Sequence, residues 1–307
     1  MKDSKIEWTT HTFNPWQGCT RVSPGCQHCY AETMMDKRFG KVKWGPTGKR
    51  IRTSADYWKQ PLRWNHEAAT AGERRRVFCA SLADVFEAKP DQVDDLRSWR
   101  FDLWNLIDAT PWLDWLILTK RPENVNDIVP YSYGDDGWPS NIWIGTSVEN
   151  QEWADKRIPE LLNIPAAVRF LSCEPLLGPV DLSEWLWADM PGNPRLNRIH
   201  WVIVGGESGP DARPMHPDWA REIRDQCGEA GVPFFFKQQG EWTLSDYDAP
   251  PNVWVDEETG KVVSRHNSSP EPPPFNSAAI MKRIGKKQAG RQLDGREWNE
   301  FPKAGGK

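Results

Sequence analysis

Cys19, Cys26 and Cys29 fall in one short run, Asn14-Pro-Trp-Gln-Gly-Cys-Thr-Arg-Val-Ser-Pro-Gly-Cys-Gln-His-Cys-Tyr-Ala. Thiolates are soft metal ligands, and Cys26-Gln-His-Cys29 is the tight C-x2-C pair shared by zinc and iron–sulfur sites. Cys19 lies seven residues earlier, with Pro24 and Gly25 supplying a turn that can bring it back. Three thiolates suit an iron–sulfur cluster with one iron left open to a substrate or cofactor. A structural zinc ion wants a fourth ligand. His28 adjoins Cys29, where side chains point apart, His11 is distant along the chain, and no second C-x2-C follows. The chemistry favours an open cluster over zinc. Unligated core thiols are a third reading, which Gly18, Pro24 and Gly25 oppose by making this a loop.

Such a loop needs a scaffold. Short apolar runs recur after it: Arg76-Val-Phe-Cys-Ala, Leu113-Asp-Trp-Leu-Ile-Leu, Asn141-Ile-Trp-Ile-Gly, Val168-Arg-Phe-Leu-Ser, His200-Trp-Val-Ile-Val and Val232-Pro-Phe-Phe-Phe. Each is too short for a helix and rich in β-branched or aromatic residues, so each reads as a buried strand. Phe13 to Gly18 reads as a first strand leading into the cysteine loop. Between the runs lie amphipathic stretches. Residues 91–109 put Val93, Leu96, Leu103, Trp104 and Ile107 on one face, and 217–229 do so with Trp219, Ile223 and Cys227. Strands alternating with helices argue for a parallel α/β sheet, either a complete or partial (β/α) barrel or a doubly wound sheet. No Gly-rich phosphate fingerprint follows an early strand, which weakens the dinucleotide-binding version.

Polar residues cluster after these runs: Ser81 and Asp84; Thr119, Lys120 and Arg121; Thr146, Ser147, Glu149 and Asn150; Glu174; Glu207 and Ser208; Lys237, Gln238 and Gln239. In a barrel they converge on the face where sites are built. Helix caps and salt bridges are the plainer roles, Asp84 and Ser208 being cap candidates and Lys120 and Lys237 ion-pair candidates.

The bulk properties permit this scaffold. The 307 residues can bury a large core, and 38% hydrophobic with 27% charged residues fits a globular rather than a disordered chain. The net charge of −4 gives no global pull towards nucleic acid, so any such binding needs a local basic patch. The charged N-terminus and the lack of a long apolar run lead to the expectation of a cytoplasmic protein with reduced thiols and no membrane partner. The 19 tryptophans read chiefly as core, with a few available for stacking. Residues 1–242 form the expected barrel. Residues 243–276, with Pro250-Pro251 and Pro272-Pro273-Pro274, read as an irregular loop. Residues 277–307 form a basic extension carrying Lys282, Arg283, Lys286, Lys287, Arg291 and Arg296, read by default as a solvated helix face and otherwise as an anion or nucleic-acid contact.

The flanks of the cysteines carry a resemblance. Asn14-Pro-Trp-Gln-Gly-Cys and Cys26-Gln-His-Cys-Tyr-Ala resemble the cluster loop of radical SAM proteins, especially the branch similar to spore photoproduct lyase. The usual spacing there is C-x3-C-x2-C, and here it is C-x6-C-x2-C. The chain is also similar to a phage and prophage family of uncharacterised three-cysteine-motif proteins. The shared pieces, among them Leu118-Thr-Lys-Arg-Pro, Ser147-Val-Glu-Asn, Cys173-Glu-Pro-Leu and Gly205-Gly-Glu-Ser-Gly, span residues 7–302.

The resemblance implies a partial (β/α) barrel of the radical SAM type. It implies a [4Fe–4S] cluster on Cys19, Cys26 and Cys29, with S-adenosylmethionine chelating the open iron. An external electron donor would drive its cleavage to a 5′-deoxyadenosyl radical that abstracts hydrogen from an unknown substrate, a nucleic acid or nucleotide among the classes allowed. Ser81 and Asp84 are the expected cofactor contacts after the second strand, and Ser147, Glu149 and Asn150 after the fourth. Tyr30 is expected beside the cluster. Glu174, Glu207, Lys120, Arg121 and Lys237 remain for substrate. The competing class is a non-catalytic zinc- or cluster-stabilised module that binds nucleic acid or protein. A phage-encoded chain would work in the host cytoplasm.

Overall fold

The computed structural model describes residues 1–134, 137–187, 198–245, 252–264 and 275–303. Seven strands form one parallel sheet in chain order: β1 (His11–Thr12), β2 (Arg75–Cys79), β3 (Leu113–Thr119), β4 (Ile142–Ser147), β5 (Val168–Cys173), β6 (Trp201–Gly205) and β7 (Phe234–Gln238). Helices such as Val93–Asp108, Gln151–Leu162 and Pro217–Ala230 occupy the connections. This is the expected fold class, an α/β sheet of the partial (β/α) barrel kind. Parallel strands are covered on both faces, so β4, β5 and β6 are buried at every residue. Among the described residues no helix is long and apolar enough to cross a membrane.

The chain divides into two compact units. One comprises residues 1–146, 159–170 and 303–307, the other 147–158 and 171–302. In the first unit β1 pairs with β2, Thr12 opposite Phe78. The first strand therefore ends one residue before the expected run begins. Phe13 still donates its N–H to the Phe78 carbonyl at 2.9 Å, while its ring stacks on Tyr57 at 5.2 Å and meets Trp115 edge-on at 5.6 Å. Trp16–Gln17 pairs antiparallel with Ile51–Arg52 instead. Helix Val93–Asp108 buries Leu96, Leu103, Trp104 and Ile107, but Val93 opens the helix exposed rather than on the buried face. Gly145 in β4 is dictated by packing, because a Cβ there would lie 2.3 Å from the Phe170 ring.

His11 in β1 is fully buried, stacks on Trp64 at 4.5 Å, and accepts from the Asp3 N–H at 3.3 Å. Burial, aided by nearby Arg75, holds its pKa down at about 4. Below the unfolded value of about 6.5 the unfolded chain binds a proton that the folded chain refuses, so stability falls with pH. We expect a loss of about 3 kcal/mol between pH 6.5 and 4 from this residue. Denaturant titrations across that range should show it, and His11→Phe should flatten the slope. An unchanged slope would remove His11 as its source.

In the second unit helix Pro217–Ala230 buries Trp219, Ile223 and Cys227 as expected. The irregular loop expected over 243–276 is ordered structure where described. β8 (Trp242–Leu244), β9 (Asn252–Asp256), β10 (Val262–Ser264) and β11 (Ala278–Arg283) make an antiparallel sheet in the order β8-β11-β9-β10. Val253, Trp254 and Val255 carry the β-branched and aromatic signal, which the surrounding prolines outweighed in the sequence. Pro250, Pro251, Pro272, Pro273 and Pro274 lie outside the described residues.

Candidate metal centre

The three cysteines sit in the first unit, on the loop between β1 and β2. The loop is fastened at its start. The Asn14 side chain accepts from the Leu82 N–H at 2.8 Å and donates to the Ser81 hydroxyl at 3.1 Å. The Gly18 N–H donates to the Leu82 carbonyl at 3.0 Å. Gly18 has φ +104°, and a Cβ there would lie 2.8 Å from Val42, so only glycine fits. The loop thus runs beside the residues that follow β2.

Each cysteine has a local frame. Cys19 accepts a backbone bond on its carbonyl from Gly45 N–H at 2.9 Å. Pro24–Cys26 forms a single 3-10 turn, as the Pro-Gly pair requires. Cys29 opens the helical stretch that begins with Tyr30–Glu32 and continues as a π-helix over Thr33–Arg38. Cys19 and Cys29 pack on one apolar cluster of Ala31, Met35 and Trp44, joined by Leu82. Tyr30 is half exposed, and its hydroxyl donates to the Ser81 carbonyl at 2.8 Å. All three cysteines are partly accessible, unlike Cys79, Cys173 and Cys227, which are buried.

Beneath the loop lies a buried ionic network. Arg50 Nε and Nη2 donate to the two Glu87 carboxylate oxygens at 2.7 and 2.6 Å, and both side chains are almost fully excluded from solvent. Arg121 Nη1 donates to Asp84 Oδ2 at 2.8 Å, and its Nη2 lies 3.7 Å from Glu87. Both arginines reach the residue after Cys19: Arg50 donates to the Thr20 hydroxyl at 2.7 Å, Arg121 to the Thr20 carbonyl at 2.8 Å. Arg121 also lies 3.8 Å from the Cys19 sulfur. Two cations and two carboxylates balance, which is what makes so much buried charge tolerable.

The electrostatics follow. Burial pushes the Cys19 thiol up to about 12, Asp84 and Glu87 push the same way, and Arg121 opposes them. Burial also raises Cys29, against backbone N–H bonds from Glu32 and Ala31. Asp84 is pulled down overall: burial alone would raise it, but Arg121 and donors from Thr119, Lys120 and Phe86 outweigh burial. Thiolates in this pocket need compensating positive charge, which a bound metal supplies.

The remaining strand-end residues separate by unit. Asp84 accepts from Thr119 Oγ1, Phe86 N–H, Lys120 N–H and Arg121, so its lone pairs are filled. It supports the loop rather than offering the free carboxylate expected of a cofactor contact. Ser81 is tied to Asn14. Lys120 and Arg121 belong to this unit too, Arg121 as part of the network rather than a substrate contact. In the second unit, Glu149 is fully buried and pairs with Arg157 at 2.8 Å, which also donates to the Ser147 carbonyl. Asn150 accepts from Trp153 N–H at the start of helix Gln151–Leu162. Glu207 receives the Arg213 guanidinium on both oxygens. Glu174 takes two bonds from Lys237 Nζ, at 2.6 and 2.8 Å, and one from Gln238. The pair keeps partial solvent access, so among the substrate candidates Glu174 and Lys237 stay reachable.

Arg50 and Glu87 were not legible as site residues. Arg50 sits in a basic run, Glu87 in an unremarkable loop, and nothing periodic links them. A further His216, Asp218 and Glu257 group in the second unit has ligand atoms within 4.8 Å of one another. The three cysteines do not form so tight a group among the described residues.

A family model described as "Protein of unknown function (DUF5131)" matches residues 3–302. No curated protein matches the chain. Two solved structures are similar to it, both variants of spore photoproduct lyase. A cysteine-to-serine mutant aligns at 16% identity over 87% of this chain and 72% of its own, with a TM-score of 0.45. A tyrosine-to-phenylalanine mutant aligns at 15% identity over the same shares, with a TM-score of 0.42.

Proposed function

The chain belongs to the DUF5131 family, and we propose that it is a radical SAM-like enzyme whose Cys19, Cys26 and Cys29 hold a [4Fe–4S] cluster. When bound, the cluster and S-adenosylmethionine supply one-electron cleavage of the sulfonium, giving a carbon radical that takes hydrogen from a substrate. An external donor provides the electron. The substrate class is a nucleic acid or nucleotide.

One observation carries this reading: three partly accessible thiols on the loop leaving β1 of a parallel α/β sheet, fastened to the segment after β2. The chain's own residues do the rest. Arg50 and Arg121 hold Thr20 and so fix Cys19. Ala31, Met35, Trp44 and Leu82 exclude water on one side. Backbone N–H groups of Ala31 and Glu32 stabilise negative charge on Cys29.

The test is anaerobic reconstitution with iron and sulfide. We expect a brown protein with about four iron and four sulfide per chain, which releases 5′-deoxyadenosine when given dithionite and S-adenosylmethionine. A colourless protein holding one zinc would sink the reading. An intact cluster that binds S-adenosylmethionine without turnover under any reductant would support the non-catalytic binding module instead.

A further inference from the structure

A second feature of the first unit lies on the segment that follows the three cysteines. Residues 37–52 contain seven arginines and lysines and no acidic residue, in a chain whose net charge is −4. Arg50 is spent on Glu87 and Arg52 on Asp102. Lys37, Arg38, Lys41, Lys43 and Lys49 are exposed, and among the described residues they make no ion pair. The loop's fold directs them outward. Val42 and Trp44 are buried, so Lys41 and Lys43, alternating with them, face solvent together. The turn is pinned by Lys41 N–H to the Met35 carbonyl at 2.8 Å and Trp44 N–H to Asp36 at 2.7 Å. Phe39 stands half exposed at its tip, with Arg38 and Lys41 5.3 and 5.5 Å from its ring centre.

Unpaired like charges repel, and a folded loop holding five together is stabilised by a partner that neutralises them. In the basic extension, read in the sequence by default as a solvated helix face and otherwise as an anion or nucleic-acid contact, Lys286 and Lys287 are exposed but the arginines are engaged. Arg283 donates to the Gly209 carbonyl, Arg291 to the Lys237 carbonyl and Asn299, and Arg296 stacks 3.6 Å over Trp298. Its arginines serve internal structure. We infer that the loop of residues 37–49 is a nucleic-acid-binding surface, its lysines and Arg38 on phosphates and Phe39 against a base. The combination of a charged track with an exposed aromatic ring favours a single strand, whose bases are free to stack. An acidic protein would use the charges but leave Phe39 without a role.

The test measures fluorescence anisotropy of labelled single-stranded DNA and RNA oligonucleotides of roughly 20 nucleotides on the full chain. With five phosphate contacts, affinity should fall roughly 100-fold between about 50 and 200 mM salt. Lys→Gln changes at positions 37, 41 and 43 should each lower the salt slope by about 0.7. K282Q, K286Q and K287Q should not change it. Phe39→Ala should weaken binding without altering the slope. On the unmodified chain, bound oligonucleotide should protect Lys37, Lys41, Lys43 and Lys49 from acetylation. No binding at low salt, binding equally displaced by polyglutamate, or loss on the extension variants alone would overturn the inference. None of these readouts depends on the cluster, so the inference and the proposed chemistry fail separately.

Discussion

Single replacement of Cys19, Cys26 or Cys29 by alanine should abolish the visible absorbance of the reconstituted protein and reduce 5′-deoxyadenosine formation to background. Cys79→Ala, Cys173→Ala and Cys227→Ala should retain both. The contrast rests on environment. The first three thiols are partly accessible on one loop, while the other three are buried in the core, where burial raises their pKa strongly. A buried thiol with no nearby cation stays protonated and is a poor metal ligand. The loop thiols also carry a raised pKa at Cys19, but there Arg121 lies close and an arriving metal can displace the proton. Iron and sulfide analysis beside the spectrum separates loss of the cluster from loss of turnover. If Cys173→Ala removed the absorbance, the site would be closed by a fourth thiolate, leaving no open iron.

Glu87→Ala should destabilise the protein by about 3–5 kcal/mol, because it strands the Arg50 guanidinium without a counter-charge in a solvent-free site. In thermal melts this corresponds to a fall on the order of 10 °C for a domain of this size. The cysteine loop should loosen as well, since Arg50 holds the Thr20 hydroxyl and two further carbonyls, those of Gly45 and Gly48. Iron retention after gel filtration is therefore expected to drop along with the melting point. The double change Arg50→Met with Glu87→Leu should recover much of the stability, since no lone charge is then buried. It should not recover iron retention, because the hydrogen bonds to the loop are gone. Lys2→Ala, which breaks an exposed pair with Glu67, should shift stability by well under 1 kcal/mol. A Glu87→Ala protein as stable as the parent would mean that the network carries no load.

Much of this molecule is legible along the chain. The six apolar runs became strands of one parallel sheet, because a strand buried on both faces must be apolar at nearly every position. Helix Pro217–Ala230 followed its four-residue spacing. The first strand was misplaced by its aromatic residues. Phe13 and Trp16 are buried in packing beside the sheet, and burial alone does not distinguish a strand from a loop that crosses a core. The antiparallel sheet of β8 to β11 was hidden by the prolines between its strands.

The three loop cysteines remain the most informative residues. Their types and spacing are what point to soft-metal chemistry, because ligand preference is a property of the side chain itself. What the strand-end charges do was decided only by tertiary structure. Asp84 reads in the sequence as a cap or a cofactor contact and Glu207 as a substrate candidate, and each is paired with an arginine, Asp84 with one 37 residues away. Arg50 and Glu87, equally far apart, are the counterpart that no motif marks. Ion pairing between distant segments has no periodicity. It depends on which charges the fold strips of water, and a buried charge must find its partner wherever the chain returns.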